Sequence, residues 1–311
     1  MAYPSFISDK STAVRISDSW PTIAGIRKIV IFGDSYSSVG YQGHSGEKAP
    51  RALEPLGVDY PGYSPQMWNE PGTPNWVGHL ITKYTPEPRY KPDTDEQDEG
   101  YQNNPILVYD YAVGGSTIDG VKQQIGLFFL AQNGVGNKPD WAPWTSEETL
   151  FVIWVGINDC ALSRNHDHAF KTMSDLQEQL YNGGARNFLF IDVPPMARSP
   201  AFIPLIDQRK VHSRHIDSEA EHVYHVWNNQ LRSSVASLAQ EYSDTSVFLF
   251  SAHATFNNFL NHPNEYGFTH LDTKKPFGRI WSDHLHPTSK VHDIVAFDMF
   301  NFLSKFPRKS V

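Results

Sequence analysis

In the stretch IFGDSYSSVG, Ile31–Gly40, an apolar run breaks into a polar turn that carries Ser35. A hydroxyl on the rigid end of a buried strand becomes a nucleophile when a base lies within reach. The segment WSDHLHPTSK, Trp281–Lys290, offers that base near the other end of the chain. Asp283 and His286 are spaced i and i+3, so a turn or 3₁₀ segment brings them together. A carboxylate there can accept the Nδ1–H of His286 and leave Nε2 as a base. Pro287 biases His286 to extended backbone and suits the first position of the next helix. Against this, Gly-Asp-Ser is an ordinary turn tripeptide, and an Asp-x-x-His pair before a helix can simply cap itself. His284 adjoins Asp283 and competes as the base, but a neighbouring residue usually points elsewhere.

Two further segments could supply hydrogen-bond donors to a developing negative charge. In YDYAVGGSTIDG, Tyr109–Gly120, a strand ends at Gly114-Gly115, where glycine lets a backbone N–H approach a ligand closely. The same pair is a common loop element, or a phosphate cradle at a helix start. In FVIWVGINDC, Phe151–Cys160, a strand ends at Gly156 and Asn158 follows. The Asn amide is a good oxyanion donor, while Asn-Asp after a strand is equally a turn or helix cap. Ser35 does not stand in a G-x-S-x-G elbow, so the α/β-hydrolase fold is not supported.

These residues need elements to hold them. Five short, nearly continuous apolar runs read as strands covered on both faces: Lys28–Phe32, Ile106–Tyr111, Leu150–Val155, Asn187–Val193 and Ser246–Phe250. Helical patterns lie between and after them at Pro74–Tyr84, Ile118–Gln132, Phe170–Asn182, Ser218–Tyr242 and Thr288–Leu303. Gly183-Gly184 is a helix stop. Strand–helix alternation implies a parallel sheet, and the chain reads as one domain over 1–311. In such a sheet ligands bind at the strands' carboxyl ends, where Ser35, Gly115 and Asn158 stand. Four long irregular stretches interrupt this scheme: Gln42–Thr73, full of Gly and Pro; Pro86–Pro105, acidic and Pro-rich; Asn133–Glu148, with Trp141 and Trp144; and Ser251–Ser282, with Phe256, Phe259 and Tyr266. At least one is expected to line the substrate site.

Composition narrows the function classes. With 311 residues, 40% of them hydrophobic and 19% charged, the chain can bury a sizeable core. A net charge of −8 without a block of Lys/Arg argues against nucleic acid or an anionic membrane as partner. No apolar run approaches the roughly 20 residues of a membrane helix. Cys160 is the only cysteine, so no internal disulfide forms. No basic start followed by an apolar run opens the chain and no Asn-x-Ser/Thr sequon occurs, which fits a cytoplasmic protein or a mature secreted form.

Other chemical candidates have plainer readings. His212, His215, His222 and His225 form two His-x-x-His pairs, a zinc-like spacing. The carboxylate of a His-Glu-x-x-His site is missing and the segment reads as a helix with its histidines solvated, so no metal is expected. Cys160 reads as a small buried hydrophobe, Asp34 as a brace for the serine turn, and Asp93–Glu99 as a solvated acidic loop.

Each motif is ordinary alone; their order is not. Ser, then Gly, then Asn stand at three successive strand ends, and Asp-x-x-His lies near the C-terminus. This order closely resembles the SGNH, or GDSL-type, hydrolases, from Ile29 to about Pro287. Ser35 falls on the family's block-one serine, Gly115 on its block-two glycine, Asn158 on its block-three asparagine, and Asp283 and His286 on its last block. Tyr36 departs from the family's leucine, at a position that varies. The long loops and GTPNWVGHL, Gly72–Leu80, resemble more specifically the fungal carbohydrate esterase family 16 acetylesterases.

The resemblance implies a flavodoxin-like three-layer α/β/α fold, with a five-stranded parallel sheet and long loops at the strand C-terminal ends. It implies a serine esterase for short acyl groups, acetyl especially, on a carbohydrate or another polar alcohol, working without cofactor or metal. Ser35 would attack, His286 would relay the proton and Asp283 would hold the imidazole. The N–H groups of Ser35 and Gly115 and the side chain of Asn158 would bind the oxyanion. Tyr36 and Trp281 flank the site as candidate substrate contacts, and equally as core aromatics. A lipase or thioesterase for longer chains, a flavodoxin-like binding protein with Gly33–Ser38 as a phosphate cradle, and a carbohydrate-binding relative without turnover stay open. The expected partner is a small-molecule or oligosaccharide ester; the sequence leaves the oligomeric state open.

Overall fold

The computed structural model describes residues 3, 10–41, 49–202 and 213–308, and of 213–220 only the helical backbone. Its strands are β1 Thr12–Arg15, β2 Lys28–Gly33, β3 Leu107–Asp110, β4 Thr149–Trp154, β5 Asn187–Ile191 and β6 Ser246–Phe250. They form one sheet in the order β1-β6-β5-β4-β2-β3. The five apolar runs became β2 to β6, all parallel. Every residue of β4, β5 and β6 is buried, as their unbroken apolar character demands.

The sheet has one strand more than the five expected. β1 pairs antiparallel with β6 at the edge, and its register slips between Ala13 and Arg15. Its four residues, TAVR, are half-buried and hold one large apolar side chain, too little to show a period.

The helices are α1 Trp76–His79, α2 Glu99–Asn103, α3 Ile118–Gln123, α4 Ile157–Leu162, α5 Asp167–Asn182, α6 Ser213–Glu241, α7 Ala252–Asn261 and α8 Ser289–Leu303. α1 and α3 run on as π-helical segments, Leu80–Tyr84 and Gln124–Phe129. α5 stops where expected, with Gly183 as its C-cap and Gly184 at a φ of 104° that favours glycine. α7 lies inside the stretch Ser251–Ser282 that reads as irregular. Its signals were a Ser251 cap, whose Oγ accepts from Ala254 N, and the buried stripe Phe256, Phe259 and Leu260. Helices α3, α5 and α6 pack on one another in series, while α1 and α7 pack on α8.

Read along the sheet, the parallel strands run β3-β2-β4-β5-β6, the flavodoxin-like order 2-1-3-4-5. The connection from β2 turns one way to β3, and the chain then crosses to β4 on the other side. The crevice at that reversal lies between the carboxyl ends of β2 and β4, the strand ends that carry Ser35 and Asn158.

Candidate active site

The turn that carries Ser35 is built from its flanks. A Cβ on Gly33 would lie 2.3 Å from the Trp154 carbonyl oxygen, so only glycine lets the end of β2 sit this close to β4. Asp34 then closes the turn. Its carbonyl accepts from Ser37 N at 3.1 Å and Ser38 N at 3.2 Å, and its Oδ1 accepts from Tyr36 N at 3.0 Å. Burial raises the Asp34 carboxyl to about 7, against the Tyr36 N–H bond and with the help of nearby Asp159. Asp34 is therefore a brace, as its position implied.

Two outside segments clamp this turn. Asn75 Nδ2 donates to Ser37 O at 2.8 Å and Ser38 O at 3.1 Å, and Trp76 Nε1 donates to Ser37 Oγ at 3.1 Å. Asn75 also caps α1 by accepting from Val77 N at 3.0 Å. On the other side Gln124 accepts from Gly33 N at 2.9 Å and donates to Gly33 O at 2.8 Å, pairing with the strand end as a neighbouring strand would. Asn75 and Trp76 stand in the quoted GTPNWVGHL segment; Gln124, inside an apolar helical pattern, showed only as a polar residue at a buried helix position.

The segment Trp281–Pro287 forms a pedestal. Trp281 and Pro287 form an antiparallel bridge, and Ser282 N donates to His286 O at 2.8 Å. Inside this closed loop Asp283 Oδ1 accepts the N–H groups of Leu285 at 2.6 Å and His286 at 2.7 Å, while Oδ2 accepts His286 Nδ1–H at 2.7 Å. Burial alone would raise the Asp283 carboxyl, but these three bonds win and bring it to about 2. With Nδ1 as donor, His286 Nε2 is the acceptor, and Ser35 Oγ lies 2.9 Å away. Pro287 is not the first helical residue: α8 begins at Ser289, whose N–H is accepted by Glu70 Oε2 at 2.6 Å.

The structure also joins the two donor segments. Ser116 N donates to Val113 O at 3.2 Å, and Gly115 within that turn has a φ of 80°, which glycine adopts without strain. No heavy atom lies within 4 Å of where a Gly115 Cβ would be, so this side of the turn is open. Asn158, in the first turn of α4, donates from Nδ2 to Ser116 O at 2.9 Å, and Asp159 Oδ1 accepts from Ile118 N at 3.1 Å. The adjacent pair thus zips the Gly115 turn to α4. Val113 N donates to Gly33 O at 3.2 Å and Gln124 Nε2 to Ser116 Oγ at 3.1 Å, which ties the same turn to the Ser35 strand.

Tyr36 and Trp281 are not placed to touch a substrate. Both side chains are 0% exposed. Trp281 Nε1 donates to Thr273 O at 3.1 Å, and the ring packs 6.2 Å from Phe256. Tyr36 packs edge-on to Trp154 at 5.5 Å, and its hydroxyl donates to Leu285 O at 2.8 Å. The core reading holds for both, and Tyr36 acquires a structural task that leucine could not perform. The aromatic against the site is instead Trp68, 44% exposed, with its ring centroid 4.8 Å from that of His286. It stands in the long stretch Gln42–Thr73, of which residues 42–48 lie outside the described residues.

Among the described residues Glu221, His225 and His253 bring potential metal-ligand atoms within 4.8 Å of one another. Spacing along α6 did not reveal this group, because His253 comes from α7; His212 lies outside the described residues, as does the side chain of His215. The hydrogen bonds assign its protons. Arg198 Nη1 can only donate, so Asn257 Oδ1 accepts it at 2.6 Å, and Asn257 Nδ2 donates to His253 Nδ1 at 3.1 Å. His253 Nε2 then carries the hydrogen and faces Glu221 Oε1 at 3.3 Å. Cys160 is buried, and burial pushes its thiol well above the ordinary range, so it is no ready nucleophile.

A family described as GDSL-like Lipase/Acylhydrolase matches residues 29–298, a span from β2 into α8 that takes in every residue of this site. The chain belongs to the GDSL-like lipase/acylhydrolase family. As a GDSL acylhydrolase it is a carboxylic ester hydrolase. An acetylesterase from Thermothelomyces thermophilus is 26% identical over 289 residues, 86% of this chain and 85% of that protein. GDSL esterase/lipase 1 of Arabidopsis thaliana is 25% identical over 126 residues, 40% of this chain and 31% of that protein. Among solved structures, the psychrotrophic esterase EstA from Pseudoalteromonas sp. is 13% identical with a TM-score of 0.44, covering 90% of this chain and 97% of that one.

Proposed function

We propose that this GDSL acylhydrolase is a serine esterase that removes short acyl groups, acetyl foremost, from a carbohydrate or another polar alcohol. The observation that carries the reading is the unbroken line from Asp283 Oδ2 through His286 to Ser35 Oγ, with links of 2.7 and 2.9 Å. Ser35 Oγ attacks the ester carbonyl carbon as His286 Nε2 takes its proton. The carbonyl π pair moves onto oxygen, where the N–H groups of Ser35 and Gly115 and the amide of Asn158 stabilise it. Collapse breaks the bond to the alcohol oxygen, which takes the proton from His286 and leaves an acyl-Ser35 ester. Water, deprotonated by the same imidazole, repeats the cycle and releases the acid.

The acetylesterase relative, similar over most of both chains, supports the short acyl group. The GTPNWVGHL segment, through its likeness to carbohydrate esterases, supports the sugar alcohol. Fluorophosphonate labelling followed by peptide mass spectrometry tests the nucleophile, with one adduct expected on Ser35; an adduct elsewhere, or none, overturns the assignment. A series of nitrophenyl esters tests the acyl preference. A steep fall in kcat/KM beyond a few carbons is expected, and a rise would make the enzyme a lipase or thioesterase.

A further inference from the structure

The catalytic groups leave one prominent side chain without a task. Trp68 is held on three sides. Its carbonyl accepts from Ser282 Oγ at 3.0 Å, at the foot of the pedestal. Its indole edge lies over Gly114, where a Cβ would come within 2.4 Å of Nε1 and 2.6 Å of Cζ2, so that glycine makes room for the ring. One face lies against His286, the two rings inclined by 30° with centroids 4.8 Å apart. The rest of the ring is open to solvent, 44% exposed, beside the imidazole and the Gly115 turn together. An aromatic ring already fixed by its surroundings offers a broad apolar surface at little further cost in conformational entropy.

Position says which part of an ester this surface would meet. The proton that His286 takes from Ser35 must be handed to the leaving oxygen, so that oxygen comes within hydrogen-bond reach of Nε2. The remainder of the alcohol is attached to it and emerges beside the ring that flanks the imidazole. An acyl chain is attached instead to the carbonyl carbon, on the other side of the breaking bond. We propose that Trp68 is the specificity-determining residue of the alcohol side, a platform for the apolar C–H face of a pyranose ring. This rests on the carbohydrate-ester reading above and names the residue that would enforce it.

The test compares two selectivity ratios in wild type, Trp68→Ala and Trp68→Phe. The alcohol ratio is kcat/KM for a mono-acetylated methyl xylopyranoside over that for ethyl acetate. The acyl ratio is kcat/KM for nitrophenyl acetate over nitrophenyl butyrate. In Trp68→Ala the alcohol ratio is expected to fall about tenfold or more, chiefly through KM on the sugar ester, with the acyl ratio within about threefold of wild type. Trp68→Phe, which keeps a ring, is expected to retain most of the alcohol ratio. An alcohol ratio unchanged in Trp68→Ala, or an acyl ratio that moves in its place, overturns the proposal. Wild type that cleaves ethyl acetate but not the xylopyranoside ester overturns the carbohydrate reading itself while leaving the Ser35 esterase intact.

Discussion

Ser35 and His286 are 251 positions apart in the chain and 2.9 Å apart in the fold. Tyr36, the neighbour of Ser35, spans the same gap by donating from its hydroxyl to Leu285 O, beside His286, at 2.8 Å. The Ser35 turn and the His286 pedestal are thus joined twice, once through the side chains of the proposed triad and once between Tyr36 and Leu285.

Removing the lower joint tests its worth. Tyr36→Phe keeps the buried ring but leaves the Leu285 carbonyl without its donor, a loss of about 1–3 kcal/mol for a buried group. We expect a lower urea midpoint with an unchanged m-value, and a kcat that falls more than KM changes because the imidazole is less firmly aimed. A variant with wild-type midpoint and kcat would show that the bond has no such role. Tyr36→Leu, which installs the family's residue, should lose at least as much, since the edge contact with Trp154 goes too.

Asp283 is the next joint. Replacing it with asparagine presents an amide N–H to His286 Nδ1, so that nitrogen must become the acceptor and Nε2 carries the hydrogen. That tautomer cannot take the Ser35 proton. A kcat reduced on the order of 10⁴-fold is expected, as for a triad locked in the wrong tautomer. Stopped assays on nitrophenyl acetate measure it, and a loss under tenfold would remove Asp283 from the mechanism.

Asn158, the proposed oxyanion donor, gives one amide N–H to Ser116 O and carries a second. Asn158→Ala should lower kcat by about 10²–10³ with little change in KM, the pattern of an interaction made in the transition state. A rise in KM at constant kcat would instead make Asn158 a ground-state contact.

Asp34 makes stability depend on pH in a definite direction. Its carboxyl has an ordinary value of 3.8 in the unfolded chain and rises to about 7 in the fold, where burial favours the neutral acid. The folded state therefore binds the proton more tightly. The stability this contributes is complete below pH 3.8, declines as pH rises, and is gone above about 7. Each pKa unit is worth about 1.4 kcal/mol, so the decline is on the order of 4 kcal/mol. Asp34→Asn stays neutral in both states and escapes it. Urea midpoints at pH 4 and pH 8 should show the variant gaining on wild type at the higher pH; equal gaps at both would refute the buried-acid account.

Much was legible before folding, and for local reasons. Unbroken apolar runs mark β2 to β6 because strands covered on both faces exclude polar residues at every position. Ser35, Gly115, Asn158, Asp283 and His286 stood out because each follows a strand or precedes a helix, and such junctions carry their own turn chemistry. β1 and α7 were missed. The first is too short to show a period, and the second is a ten-residue helix inside a long stretch that is otherwise irregular, so its Ser251 cap and apolar stripe stand out little.

The sequence by itself determined the sheet's five parallel strands, the order of the chemical motifs along it and the Asp283–His286 pairing, all of which depend on residues close together in the chain. The tertiary structure decided what depends on distant ones. It set the 2.9 Å approach of Ser35 to His286, the Gln124 and Asn75 clamps on the Ser35 turn, and the place of Trp68 against the imidazole. It also moved Tyr36 and Trp281 from the candidate site into the core. An aromatic residue serves a core and a binding site equally well, and only the packing of segments remote in sequence determines which of its faces is left to solvent.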